Sequence, residues 1–163
     1  MTTTGTEQAV VHSTFVVEKS YPKPREVVFA AFADPAKKRR WWAPEAGFEV
    51  KEFTMDFRTG GGERLVYQFG EGTPLPGKTI TNEGIYQDIV GNERIVTAHR
   101  MLLDGERIMA SLVTIELLKT DRGTDLICTH QGAYLAWPGG PEMLEQGWRN
   151  LLERLGSAIA AEA

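Results

Sequence analysis

A chain of 163 residues, 42% hydrophobic and 25% charged, is long enough for one domain with a sizeable core. Its formal net charge of -4 argues against nonspecific binding to nucleic acid or to an anionic membrane surface, and no apolar run approaches the ~20 residues of a spanning helix. The single cysteine, Cys128, excludes an internal disulfide; the first residues lack the basic and long apolar segments of a signal peptide, so the expected location is cytoplasmic.

Residues 1–9 are small and polar and predict a flexible tail, followed by a single domain over 10–163. From Val11 to Tyr21 the alternation is that of a strand, with Phe15 and Val17 on one face, until Pro22 and Pro24 end it. Pro24 opens a short helix that buries Val28, Phe29 and Phe32. Asp34 and Pro35 then supply an N-cap and a first-turn proline for a second short helix reaching Trp41 and Trp42.

Between Phe48 and Gln131 no helical period persists, and strands are predicted at 47–57, 63–70, 79–90, 93–103, 107–119 and 123–131. Turn residues separate them at Gly60 to Gly62, Gly72 to Gly77, Gly91-Asn92, Asp104-Gly105 and Asp121 to Gly123. Connections this short favour antiparallel pairing, since parallel neighbours need long crossovers. Met109, Ser111, Val113, Ile115 and Leu117 share one face of their strand, as do Leu126, Cys128 and His130 on the next.

The last run, Pro141 to Glu162, is an amphipathic helix whose apolar stripe carries Leu144, Trp148, Leu151, Leu152, Leu155 and Ile159. A curved sheet with one apolar face and a long helix with one apolar stripe solve each other's burial problem. The predicted fold is therefore α+β: a curved seven-stranded antiparallel sheet wrapped around the C-terminal helix, with two short helices between strands 1 and 2. A cavity is expected wherever side chains fail to fill this grip.

Several segments carry a resemblance when taken in order: Pro24 to Phe32, Asp34-Pro35, Trp41 to Pro44, Asp56 to Gly61, Gly84 to Ile89, Glu93 to Val96, and Gly147-Trp148 with Leu152 and Leu155. Together they resemble the Hsp90-ATPase-activator-like (AHSA1-type) branch of the START/Bet v 1 helix-grip superfamily, also called SRPBCC. The resemblance implies the same seven-stranded grip and a ligand cavity beneath the helix. It implies less about activity, because members of the superfamily bind lipids, hormones or polyketides, some are cyclases, and eukaryotic relatives stimulate Hsp90. Two departures are a longer proline-rich hairpin from Gly70 to Lys78 and the expected lack of a separate Hsp90-binding domain, which argues against a full co-chaperone role.

Gly72 to Thr79 matches the phosphate-loop pattern GxxxxGK[ST], but Pro74 and Pro76 lack the N–H groups that cradle phosphate and a strand, not a helix, follows. Gly60 to Gly62 reads as a turn or bulge, and Lys37 to Arg40 as a solvated helix face before packing tryptophans. His12, His99 and His130 make no metal motif, and no cofactor is expected. Cys128 has no basic neighbour in sequence and reads as a buried, inert thiol. Ser111 lacks a nucleophile elbow, and Glu116 points outward by parity.

The expected role is binding of a small hydrophobic or amphipathic ligand between sheet and helix, without a catalytic motif to suggest an enzyme. The expected ligand-contacting residues are Phe32, Trp42, Tyr67, Tyr86, His99, Met109, His130, Trp137, Met143 and Trp148. One alternative is a chaperone-linked interaction module that docks a protein partner through Lys37 to Trp42. Another is a cyclase or dehydratase using His99 or His130 as acid/base. Nucleic acid is not an expected partner, and both a monomer and a homodimer stay open.

Overall fold

The computed structural model describes residues 10–44 and 46–162; the predicted tail, residues 1–9, lies outside the described residues. Strand β1, Val11–Tyr21, alternates as its sequence requires, turning Phe15, Val17 and Tyr21 inward and Val16 outward. Helix α1, Arg25–Ala33, buries Val28, Ala31 and Phe32. Helix α2, Pro35–Trp42, starts on the predicted cap: the N–H groups of Ala36 and Lys37 donate to Asp34 Oδ1 at 2.9 and 3.1 Å.

Six further strands follow: β2 (Phe48–Met55), β3 (Gly62–Phe69), β4 (Thr79–Val90), β5 (Arg94–Leu103), β6 (Glu106–Thr120) and β7 (Gly123–Tyr134). They form one antiparallel sheet in the order β1-β7-β6-β5-β4-β3-β2, so β1 and β2 are its edges and the two short helices span the distance between them. Register shifts at Val50/Glu52, Tyr86/Asp88 and Met101/Leu102 interrupt the ladders, and such bulges bend a strand and increase its twist.

Helix α3, Gly140–Ala160, lays Trp148, Leu152, Leu155 and Ile159 into the main core, with Leu144 and Leu151 half-buried beside them. At ~1.5 to 3 kcal/mol per fully buried large side chain, those four residues supply much of the attachment. Tyr21 adds a directional tie, its hydroxyl donating to the Leu152 carbonyl at 2.8 Å. The core cluster joins α1, α2, α3 and the inner faces of the strands, while Ile80, Met101, Met109 and Tyr134 make a smaller second cluster.

Two differences from the sequence reading have physical causes. Strand β7 continues past Gln131 to Tyr134, because Gly132 still pairs with Ser13 and Ser111 and its missing Cβ is what the strand needs there. An added Cβ would lie 2.9 Å from the Tyr134 ring and 3.0 Å from His130. Lys38, read as part of a solvated face, is buried, with 7% of its side chain exposed, because a carboxylate waits for it inside. The phosphate-loop match falls in the β3–β4 hairpin, where Lys78 pairs with Asp104 at 3.2 Å and Asp104 also accepts from the Thr79 N–H. Gly60, at φ 85°, and Gly61 form a turn that donates to and accepts from Tyr86, as the turn reading requires.

Candidate functional site

The registers of five neighbouring strands align Glu63, Gly84, His99, Ser111 and Gly132 in one row across the sheet. Gly84 stands between Glu63 and His99, and a Cβ there would lie 2.4 Å from His99 Cδ2 and 2.7 Å from Nε2. The glycine thus lets the imidazole lie flat over β4 and reach the carboxylate on β3. Gly132 does the same on the far side of Ser111 for the rings of His130 and Tyr134.

Glu63 is the centre of a buried polar cluster. Its Oε1 accepts from Lys38 Nζ and from the Tyr86 hydroxyl, each at 2.5 Å, and its Oε2 pairs with His99 Nε2 at 2.7 Å. Burial by itself would raise the Glu63 pKa, but the Lys38 ammonium, together with His99, outweighs it and holds the carboxyl well below the usual range. An ionised carboxylate only accepts, so His99 Nε2 carries the proton of that bond and Nδ1 stands outside it. Burial, then the Glu63 charge, pushes the Tyr86 hydroxyl far up, so it stays a donor. Trp42 closes the cluster: its ring stacks on His99 at 6.1 Å between centroids, and Lys38 Nζ lies 4.7 Å from its ring centre.

Beside this cluster a cavity of about 280 Å³ opens between the sheet and α3. Its apolar wall includes Trp42, Leu65, Tyr67, Met101, Met109, Val113, Leu144 and Trp148, and its polar wall Asn82, His99, Ser111, His130, Asn150 and Arg154. Three of these residues also carry a buried polar atom with no hydrogen-bond partner among the described residues, Ser111 Oγ, His130 Nδ1 and Arg154 Nε, each sealed from the cavity space. His130 stacks on Phe15 at 4.7 Å, and burial, then His99, lowers its pKa from 6.5 to about 4, so it is neutral at physiological pH. Gly147, on the α3 face between Leu144 and Leu151, also lines the cavity, and a Cβ added there meets nothing within 4 Å. A wider depression of about 590 Å³ over Gly84 is walled partly by Arg64 and Arg100, both of which donate to Glu83 between them.

The family described as "Activator of Hsp90 ATPase homolog 1-like protein" matches residues 22–160. The chain belongs to this family. A solved structure from Rhizobium leguminosarum is 30% identical, covers 95% of this chain and 99% of its own, and superposes with a TM-score of 0.88. One from Rhizobium loti is 39% identical, with 92% and 99% covered and a TM-score of 0.83. An AHSA1-like protein from Aeromonas hydrophila, 17% identical over 91% of this chain and 93% of its own, has a TM-score of 0.67 and shares the fold. No curated protein matches the chain. Membership of the AHSA1-like family supports ligand binding or an interaction module in general, and no helix among the described residues is long and apolar enough to cross a membrane.

Within this AHSA1-like fold, six of the residues expected from sequence to contact a ligand, Trp42, Tyr67, His99, Met109, His130 and Trp148, line the cavity. Phe32 packs edge-on against Trp41 in the core, and Tyr86 binds Glu63. Trp137 packs on Tyr134, and Met143 is 64% exposed. Sequence reasoning missed Glu63, Lys38, Asn82 and Arg154. The first had a readable signal, since Glu63 shares inward parity with Leu65 and Tyr67 on β3.

The segment expected to dock a protein partner is largely engaged internally. Trp41 is fully buried and Trp42 nearly so, while Lys37 and Arg40 both pair with Glu162. Cys128 is fully buried, and burial raises its thiol to about 12. Among the described residues no group of three potential ligands is placed to hold a metal ion.

Proposed function

We propose that the protein binds a small amphipathic molecule in the cavity between the sheet and α3. The observation that carries this reading is a concave, mostly apolar cavity of about 280 Å³ on which a few polar side chains converge, among them His99, Ser111, His130 and Arg154. Such a wall fits a guest with an apolar body and one polar end. Gly147 supports the same reading: a mid-helix glycine costs about 1 kcal/mol relative to alanine, and here it keeps space open beneath α3.

The volume sets the size of the guest. A cavity of ~150 Å³ holds a benzene ring, so about 280 Å³ suits on the order of a dozen non-hydrogen atoms. At roughly 0.35 to 0.7 kcal/mol per non-hydrogen atom, inside the range that small ligands reach, such a guest binds with a Kd of about 1 mM to 1 μM. Apolar walls supply most of it, while His99, with its proton fixed on Nε2 by Glu63, and Ser111 orient the polar end.

A thermal-shift screen of small amphiphiles on the wild type and on Gly147→Leu tests the reading. A Cβ there enters open space, and the added side chain takes up part of the cavity volume. Compounds that raise the wild-type melting temperature should leave the plugged variant unmoved. Equal shifts in both proteins would place binding elsewhere.

A further inference from the structure

The cavity wall is electrically one-sided. Asn82, Ser111 and Asn150 are neutral polar residues, burial keeps His130 neutral, and His99 turns Nε2 toward Glu63. Arg154 is the cation of that wall without an acidic partner: no salt bridge among the described residues includes it, whereas His99 pairs with Glu63. Its Nη2 donates to the Ala43 carbonyl, which fixes the guanidinium at the end of α2, while Nε is buried and has no partner. A guanidinium held in a mostly apolar wall with no acidic partner favours an anion that reaches it from the cavity.

Resting on the cavity reading, we infer that the ligand is a small carboxylic acid whose carboxylate sits on Arg154. Its apolar body lies along Leu151, Trp148 and Met109, and any second polar group meets Ser111. A monocarboxylate balances the single guanidinium. A phosphate monoester brings ~-1.5 to -2 charge at neutral pH and would bury an excess, since His99 is already engaged by Glu63.

Calorimetric titration with cinnamate and octanoate, their primary amides, the corresponding amines and phenyl phosphate separates these cases. The acids should bind the wild type, and the amides should bind roughly 10- to 100-fold more weakly, the worth of a hydrogen-bonded charge pair. Arg154→Gln should remove the preference for acid over amide, Arg154→Lys should keep part of it, and Gly147→Leu should bind neither class. Amides, amines or phenyl phosphate binding as tightly as the acids would overturn the carboxylate inference and leave the cavity reading standing, as would an acid preference that survives Arg154→Gln. No binding by any probe to the wild type, at concentrations up to about 10 mM, well above the expected affinities, would overturn both.

Discussion

At the scale of single residues, the most consequential group is Glu63, because three donors converge on one carboxylate that has 5% of its side chain exposed. Removing it leaves Lys38 buried without its counter-charge, which typically costs about 3 to 5 kcal/mol. Glu63→Ala should lose that much in chemical denaturation, and Lys38→Met in the same chain should recover a large part of it. A loss below about 1 kcal/mol would mean that the pair contributes little to holding α2 on the sheet.

Two residues should shape the acid limb of stability in separate windows. In the unfolded chain Glu63 titrates at its ordinary 4.5, whereas in the fold it is held well below that value. The unfolded chain takes the proton first, so this contribution is complete above about 4.5 and drains away as the pH falls further. His130 titrates at 6.5 unfolded and about 4 folded, so between those values the unfolded chain binds a proton that the fold refuses. Stability should fall with pH across that window. His130→Gln should flatten the slope from 6.5 to 4 and leave the Glu63 limb intact; an unchanged slope would mean that His130 takes up its proton within the fold.

At the scale of the elements, Gly84 decides whether β3 and β5 can share a polar contact across β4. Gly84→Ala would press its Cβ against His99 and push the ring from Glu63, at about 1 to 3 kcal/mol for overpacking. Because the clash is largely with one side chain, the same substitution in a His99→Ala background should cost markedly less. Additive losses in that double-mutant cycle would show that the cost comes from the strand backbone or Thr97 rather than the imidazole.

The same contrast explains what could be read in advance. Strands, turns and the α3 stripe were legible because each is a local period: Met109 to Leu117 alternate, and Trp148, Leu152, Leu155 and Ile159 recur at helical spacing. Lys38 and Glu63 were not, because they stand 25 residues apart and nothing local says that two charges on inward positions will meet. Lys38 does lie on the helical face of Trp41 and Trp42, so its inward direction was present in the sequence, hidden by the surrounding basic run. Six of the 18 residues of the cavity wall were expected from sequence, five of them aromatic or histidine side chains. Arg154 was missed because an arginine among Leu152 and Leu155 reads as the polar face of α3, and its bond to Ala43 is long-range.

At the scale of the whole molecule, the polar cluster and the cavity are two parts of one arrangement. Lys38 and Trp42 bring α2 down onto Glu63 and His99, Trp42 packs on Trp148 of α3, and the space left between that helix and the strands is the cavity. Loosening the cluster at Lys38 or Glu63, which do not line the cavity, should therefore weaken ligand binding without touching the ligand.

The central claim, that this cavity is a binding site, is tested most directly by methyl NMR of the protein titrated with cinnamate, alongside Gly147→Leu as the filled control. Concentration-dependent shifts are expected to be confined to the methyl groups of Leu65, Met101, Met109, Val113, Leu144 and Leu151, which line the cavity, with none of them in the filled variant. Shifts centred on other methyl groups, or the same shifts in both proteins, would contradict it.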